Sequence, residues 1–280
     1  MKIKIISDST CDLPKELAQK YNVTLSPLTV IKDGESFKDN VTITPAEIFA
    51  HVSAGGSLCS TAAGNVADYQ ELFAQYAKEY DGILHISLGS GFSSSYQNAC
   101  LAAEEFDNVK VVDSQNLSTG QGLVVLYACK LAQTCENLEQ LHADVQAYTS
   151  RVEASFLLNR LDYMVKGGRC SAAAALGANL LNLKPCIEVK DGKMAVVKKY
   201  RGSYAKCLAS YVKDRLNGRE DLTGELLFLT YTTISADCKQ AVIDGINEFG
   251  HFEEMVEGTA GCTISCHCGP ETLGILFVRK

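Results

Sequence analysis

The chain has no block of lysine or arginine, no Cys-x-x-Cys pair and no apolar run approaching the ~18 residues that a membrane helix requires. Each absence excludes something. Lys and Arg number 26 against 33 Asp and Glu, for a net charge of −7 and a pI near 5.3. Nucleic-acid binding usually needs a basic face, so nucleic acid is not an expected partner, and neither is an anionic membrane surface. The N-terminal MKIKIISDST lacks an apolar stretch before a small-residue cleavage site, so no secretory signal is expected. Walker A and G-x-S-x-G strings are missing, as are internal repeats and any low-complexity linker. The 12 cysteines are scattered through a chain too large to need disulfide staples. Many sit in apolar runs, where free Cys acts as a small hydrophobe. A reducing, cytoplasmic setting is expected.

What is present is a pattern of alternating strands and helices. Residues 2–7 and 82–87 are short apolar strands, as is 109–112, and 23–31 reads as one further strand. Helices are predicted over 14–21, 67–80, 94–105, 119–133 and 138–152. Another starts at Thr44-Pro45-Ala46-Glu47, a capping box with proline in the first turn. Strands alternating with helices of this length imply a mostly parallel sheet covered on both faces. Beyond about residue 155 the pattern changes. Asp191-Gly192 between two alternating runs signals a hairpin, and helices at 203–216 and 236–249 alternate with strands at 225–232, near 255, near 263 and ending at 278. The expected fold is therefore α/β with two lobes: residues 1–155 as a Rossmann-like lobe and 156–280 as an α+β lobe with an antiparallel sheet.

Several stretches carry candidate chemistry. Leu88 to Gln97 reads LGSGFSSSYQ, follows a strand and opens a helix. Free N–H groups at a helix start attract anions, and the hydroxyls of Ser93, Ser94 and Ser95 add donors. The same residues also suit an ordinary helix cap. Gly89-x-Gly91-x-x-Ser94, with Asp113 ending the next strand, approximates a dinucleotide fingerprint but lacks its third glycine. Thr61 lies in a small polar stretch (59–65) before a helix. Asp8-Ser9-Thr10 ends the first strand, where α/β proteins place ligands, and an Asx-type turn also accounts for it. Lys166-Gly167-Gly168-Arg169 puts two cations on a sharp turn, where Arg169 either meets a carboxylate or acidic partner or stays solvated. Cys262, Cys266, His267 and Cys268 suggest zinc. On a strand, however, His267 points away from Cys266 and Cys268, so no metal is expected. His267 reads instead as a histidine at a strand end, free to donate to an anion. A hydrolase pair of Ser93 with His267 has no nucleophile elbow behind it.

Taken in order, these pieces resemble the DegV family of bacterial fatty-acid-binding proteins. The matching stretches are SDSTCDLP at 7–14, LGSGFSSSYQ at 88–97, VDS at 112–114 and GQG at 120–122. LDY with KGGR at 161–169, LKP at 183–185 and HCGPETLG at 267–274 follow. The resemblance covers essentially the whole chain. It implies two lobes with a lipid tunnel between them, and a long-chain fatty acid as ligand with no cofactor. Thr61 and Ser93 would donate hydroxyl hydrogen bonds to the carboxylate, with His267 close by; Ser94, where the family has glycine, and Arg169 are further candidate ligand residues. It also implies a carrier without catalysis of its own, whose acid a separate ATP-dependent fatty-acid kinase converts to an acyl phosphate for phospholipid synthesis. Arg169 and Arg201 are candidates for docking that partner or for meeting the phosphoryl group. The family's T-S-Q-P string becomes Thr61-Ala62-Ala63-Gly64 here, keeping only the threonine. A tail of about 16 carbons in an apolar tunnel contributes on the order of 10 kcal/mol gross.

Overall fold

The computed structural model describes residues 1–171 and 183–280. The first sheet is wholly parallel, in the order β2-β1-β6-β7: Thr24–Ser26, Ile3–Asp8, Gly82–Ser87 and Val109–Asp113. β1 and β6 are almost continuously buried because both faces are covered. Ile6, Ile83 and Val111 pack on one side against helices α3 (Val66–Tyr76) and α4 (Ser95–Ala103). Ile5, Leu84 and Val112 pack on the other side against α5 (Ser118–Ala132) and α6 (Leu138–Tyr148).

The second sheet has six strands, ordered β10-β9-β8-β13-β11-β12. These are Lys193–Arg201, Leu183–Lys190, Val152–Leu158, Thr272–Arg279, Leu222–Tyr231 and Glu254–Thr259. All its pairings are antiparallel except β11 with β12. Side chains alternate between its faces. Phe156, Leu158, Leu276 and Val278 turn toward α5. Leu157, Ile275 and Phe277 turn toward α8 (Tyr204–Leu216) and α9 (Ala236–Phe249). Helix α5 is thus clamped between the two sheets, and one buried cluster draws from both. The boundary expected near residue 155 falls inside β8, which belongs to the second sheet.

A small third sheet, β4-β3-β5, joins Glu35–Lys38, Thr29–Lys32 and Ser60–Ala62. It packs with α2 (Pro45–Ser53), α7 (Asp162–Gly167) and α10 (Cys262–Cys268) around Val30, Ile48, Phe49, Tyr163 and Cys266. The capping box of α2 forms as expected: the Thr44 N–H donates to Glu47 Oε2 at 2.8 Å, and the Glu47 N–H to Thr44 Oγ1 at 3.4 Å.

Four local expectations change. The single strand predicted over 23–31 is two strands in different sheets, with Pro27 between them where a ladder donor is missing. The stretch around Thr61, read as a loop, is β5, paired to β3 with Thr61 opposite Val30. The helix predicted to run to 152 stops at Tyr148 and gives way to a 3-10 turn and β8. The strand predicted near Thr263 is helix α10, so His267 lies in a helical last turn and not at a strand end.

Candidate functional site

Two loops, one short strand and two helices bring the site together. The first loop follows β6, and its shape is set by Asp8 at the end of β1. The Asp8 carboxylate is fully buried and accepts from the Leu88 N–H (2.8 Å), the Ser87 hydroxyl (2.8 Å) and the Tyr69 hydroxyl (2.7 Å). His85 Nε2 lies 3.3 Å away. Burial pushes this carboxyl up, but His85 and the bonds from Leu88 and Tyr69 outweigh that and hold it below the ordinary value. The loop is also tied to the next strand. The Ser90 N–H and hydroxyl both donate to Asp113, at 3.0 and 2.6 Å. A Cβ on Gly91 would lie 2.1 Å from the Gly192 carbonyl oxygen, so the β9–β10 hairpin tip sits directly on this turn. The position that a dinucleotide's phosphates would approach is therefore filled by protein, and Asp113 is committed to the loop.

Held this way, Ser93 stands just before α4. Its Oγ accepts from the Ser95 N–H at 3.2 Å and shares a 2.9 Å hydrogen bond with the Ser95 hydroxyl. Ser95 also bonds Tyr69, whose hydroxyl donates to Asp8. Ser94 is exposed and does not line the cavity described below.

The second half of the site is the pairing of β5 with α10. Thr61 Oγ1 and His267 Nε2 lie 2.8 Å apart although 206 residues separate them. Helix α10 is anchored at its start by two buried carboxylates. Asp12 accepts from the Gly261 N–H (2.9 Å) and the Ser118 hydroxyl (2.6 Å), and Asp39 from the Cys262 N–H (2.8 Å) and the Ser9 hydroxyl (2.8 Å). At the other end, a Cβ on Gly167 would fall 2.4 Å from His267 Nδ1, so only glycine lets α7 come this close to the ring.

The imidazole of His267 is pushed down to about 4, first by burial and then by the charge of Arg169, and it is neutral at pH 7. Its Nδ1 is buried without a partner among the described residues. A buried N–H without an acceptor is rarer than a lone pair without a donor, which favours the proton on Nε2. The ring then donates to Thr61 Oγ1, and the threonine's own proton is free to turn elsewhere. Arg169 Nη1 donates to the Gly167 carbonyl at 2.7 Å and leaves the rest of an exposed guanidinium at the mouth.

Thr61, Ser93, Arg169 and His267 all line one cavity of about 50 Å³. Most of its other walls are apolar: Leu28, Leu88, Phe92, Leu117, Met164, Met194 and Ile264 among them. A second cavity of about 30 Å³ adjoins it and shares Leu117, Ile264 and Cys268. The larger groove between α1 (Lys15–Lys20), α5 and the β11–β12 edge, about 780 Å³, holds none of the expected residues. Ser93 bonds Ser95 while His267 bonds Thr61, so the nucleophile–base hydrogen bond of a hydrolase is not among the site's contacts. Arg201 is exposed on β10 and lies outside this cavity. Sequence reasoning singled out Asp8 as a strand-end residue but not as the group that shapes this loop, and did not reach Asp12 or Asp39 as the anchors of α10; all three shape the site without facing it. The available signal was a run of polar residues at the end of an otherwise buried strand.

Comparison with known proteins agrees across the whole length. A family model described as "Uncharacterised protein, DegV family" matches residues 2–280. A DegV domain-containing protein of Clostridium acetobutylicum is 33% identical, covering 100% of this chain and 99% of its own. A protein of Thermotoga maritima named fatty acid-binding protein is 30% identical, covering 98% and 96%. Among solved structures, a DegV family protein from Thermus thermophilus described for its fatty acid binding superposes with a TM-score of 0.89 at 29% identity, over 100% of both chains. No helix among the described residues is long and apolar enough to cross a membrane.

Proposed function

The chain belongs to the DegV family, and from that premise we propose that it binds one long-chain fatty acid and presents the carboxylate to a separate fatty-acid kinase. The observation that carries this reading is the convergence of Thr61, Ser93, His267 and Arg169 on a single, otherwise mostly apolar cavity. The Thr61 hydroxyl, backed by the His267 N–H, donates to one carboxylate oxygen. Ser93 turns its hydroxyl from Ser95 to the other. Hydrogen bonds to an ionised acceptor are the strong kind, and the start of α4 adds positive potential. Ser94, exposed beside Ser93, sits at the rim with Arg169. The chain itself performs no chemistry on the acid in this reading, needs no cofactor and works in the cytoplasm.

The tail runs from the head-group cavity into the neighbouring one. At about 50 and 30 Å³ the two hold the carboxylate and a few methylenes, so a full tail also needs the apolar walls around them to move apart, and the flexible thioethers of Met164 and Met194 suit such adjustment. The test is native mass spectrometry of the purified protein, followed by solvent extraction and lipid identification. One fatty acid per chain is expected, lost in the Thr61→Val/Ser93→Ala double variant. A protein that arrives without lipid and takes up none when offered refutes the reading. For the partner, Arg169→Ala should lower acyl-phosphate formation by an added kinase while lipid stays bound.

A further inference from the structure

We propose that Thr263 is a third hydroxyl of the head-group site, donating to the same carboxylate; this rests on the fatty-acid reading above. Thr263 is 4% exposed, and its Oγ1 has no hydrogen-bond partner among the described residues. It lines the cavity that Thr61, Ser93 and His267 line. On α10 it stands four residues before His267, so the two share one face about 6 Å apart along the axis.

Thr263 lies in the first turn of α10, and among the described residues its hydroxyl lacks the local backbone bond that Ser265, two residues on, makes to the Ala260 carbonyl at 3.3 Å. Nearby buried hydroxyls are all bonded: Thr119 to Thr230 at 2.5 Å, Ser118 to Asp12 at 2.6 Å and Thr272 to the Cys268 carbonyl at 2.9 Å. Thr263 is the exception, and buried polar groups without partners are rare enough to need a reason.

The dimensions point to the head group and not to the tail. A cavity of about 50 Å³ has room for roughly three or four water-sized groups. A carboxylate with its first methylene fills that space, so each polar wall lies within reach of the carboxylate. Two oxygens with two lone pairs each can accept from three hydroxyls at once. With His267 neutral and Arg169 at the mouth, such a site holds the anion by hydroxyl dipoles instead of a buried ion pair.

The experiment compares wild type, Thr263→Val and Thr263→Ser after lipid removal. Hexadecanoate affinity is measured by displacement of a fluorescent fatty acid, and thermal midpoints are taken without lipid. Valine keeps the shape and deletes the hydroxyl, so affinity should fall about ten-fold or more. Serine should stay within about three-fold of wild type. The lipid-free midpoint of Thr263→Val should be unchanged or higher, because an unsatisfied hydroxyl has been removed. Equal or tighter binding by Thr263→Val overturns the proposal. So does a lowered lipid-free midpoint, which would mean that the hydroxyl serves the fold. If wild type binds and Thr263→Val matches it, this assignment alone falls. If wild type binds no fatty acid, the underlying reading falls with it.

Discussion

Acidifying the lipid-free protein should weaken its fold through His267, and the size of the effect follows from the site. The ring titrates near 4 in the folded state because burial and Arg169 both disfavour its charge, against about 6.5 in the unfolded chain. Between those values the unfolded chain holds the proton and the folded one does not. Stability from this group is therefore complete above pH 6.5 and is lost as pH falls toward 4. The full difference corresponds to at most about 3 kcal/mol. The ring keeps some solvent contact, so about 2 kcal/mol is the working figure between pH 7.5 and pH 4.5. Urea unfolding of wild type and His267→Asn at both pH values isolates it, because other titrating groups change alike in the two proteins. Wild type should lose about 2 kcal/mol more than the variant. In Arg169→Ala the loss should shrink, since one of the two causes is gone. Equal losses in wild type and His267→Asn would refute the buried, neutral imidazole, and with it the account of how Thr61 is oriented.

Two further perturbations test the supports of the site. Gly91→Ala places a methyl 2.1 Å from the Gly192 carbonyl oxygen, backbone that cannot swing aside as a side chain would. Urea unfolding should show a loss of about 1–3 kcal/mol, with lower lipid loading because Met194 on the same hairpin lines the cavity; an unchanged midpoint would mean the hairpin tip does not rest on that turn. Asp12 is a different case: burial pushes its carboxyl well above the ordinary value, which outweighs the bonds from Ser118 and Gly261. Its folded form favours the proton, so stability falls as pH rises above the unfolded value near 4, and the ionised group is a liability at neutral pH. Asp12→Asn keeps an acceptor for the Gly261 N–H and tolerates the left-handed backbone at φ 46°. It should raise the midpoint at pH 8 and match wild type near pH 4, by differential scanning calorimetry; destabilisation at pH 8 would show that the charge itself anchors α10.

Much of the architecture is carried by local pattern. Alternating apolar runs, the Thr44–Glu47 capping box, the Asp191-Gly192 turn and the helix over 236–249 are properties of neighbouring residues, and each appears where its own chemistry places it. The loop after β6 belongs here too, because glycines and serines between a strand and a helix announce a tight turn without tertiary information.

The partners of that loop are another matter. β5 is three residues long and exists because Val30, 31 positions away, offers a ladder to Thr61. Residues 262–268 carry no amphipathic helical pattern. They become helical where Asp12 and Asp39, more than 200 residues earlier, capture the N–H groups of Gly261 and Cys262. That one long-range event turns His267 toward Thr61 and Thr263 into the cavity. The sequence by itself determined the layered α/β plan and the glycine- and serine-rich loop between β6 and α4, since periodicity and turn chemistry act over a few residues. Which hydroxyls meet across the cavity was decided only by the tertiary structure, because buried carboxylates select the conformation of a distant segment that local propensity leaves open.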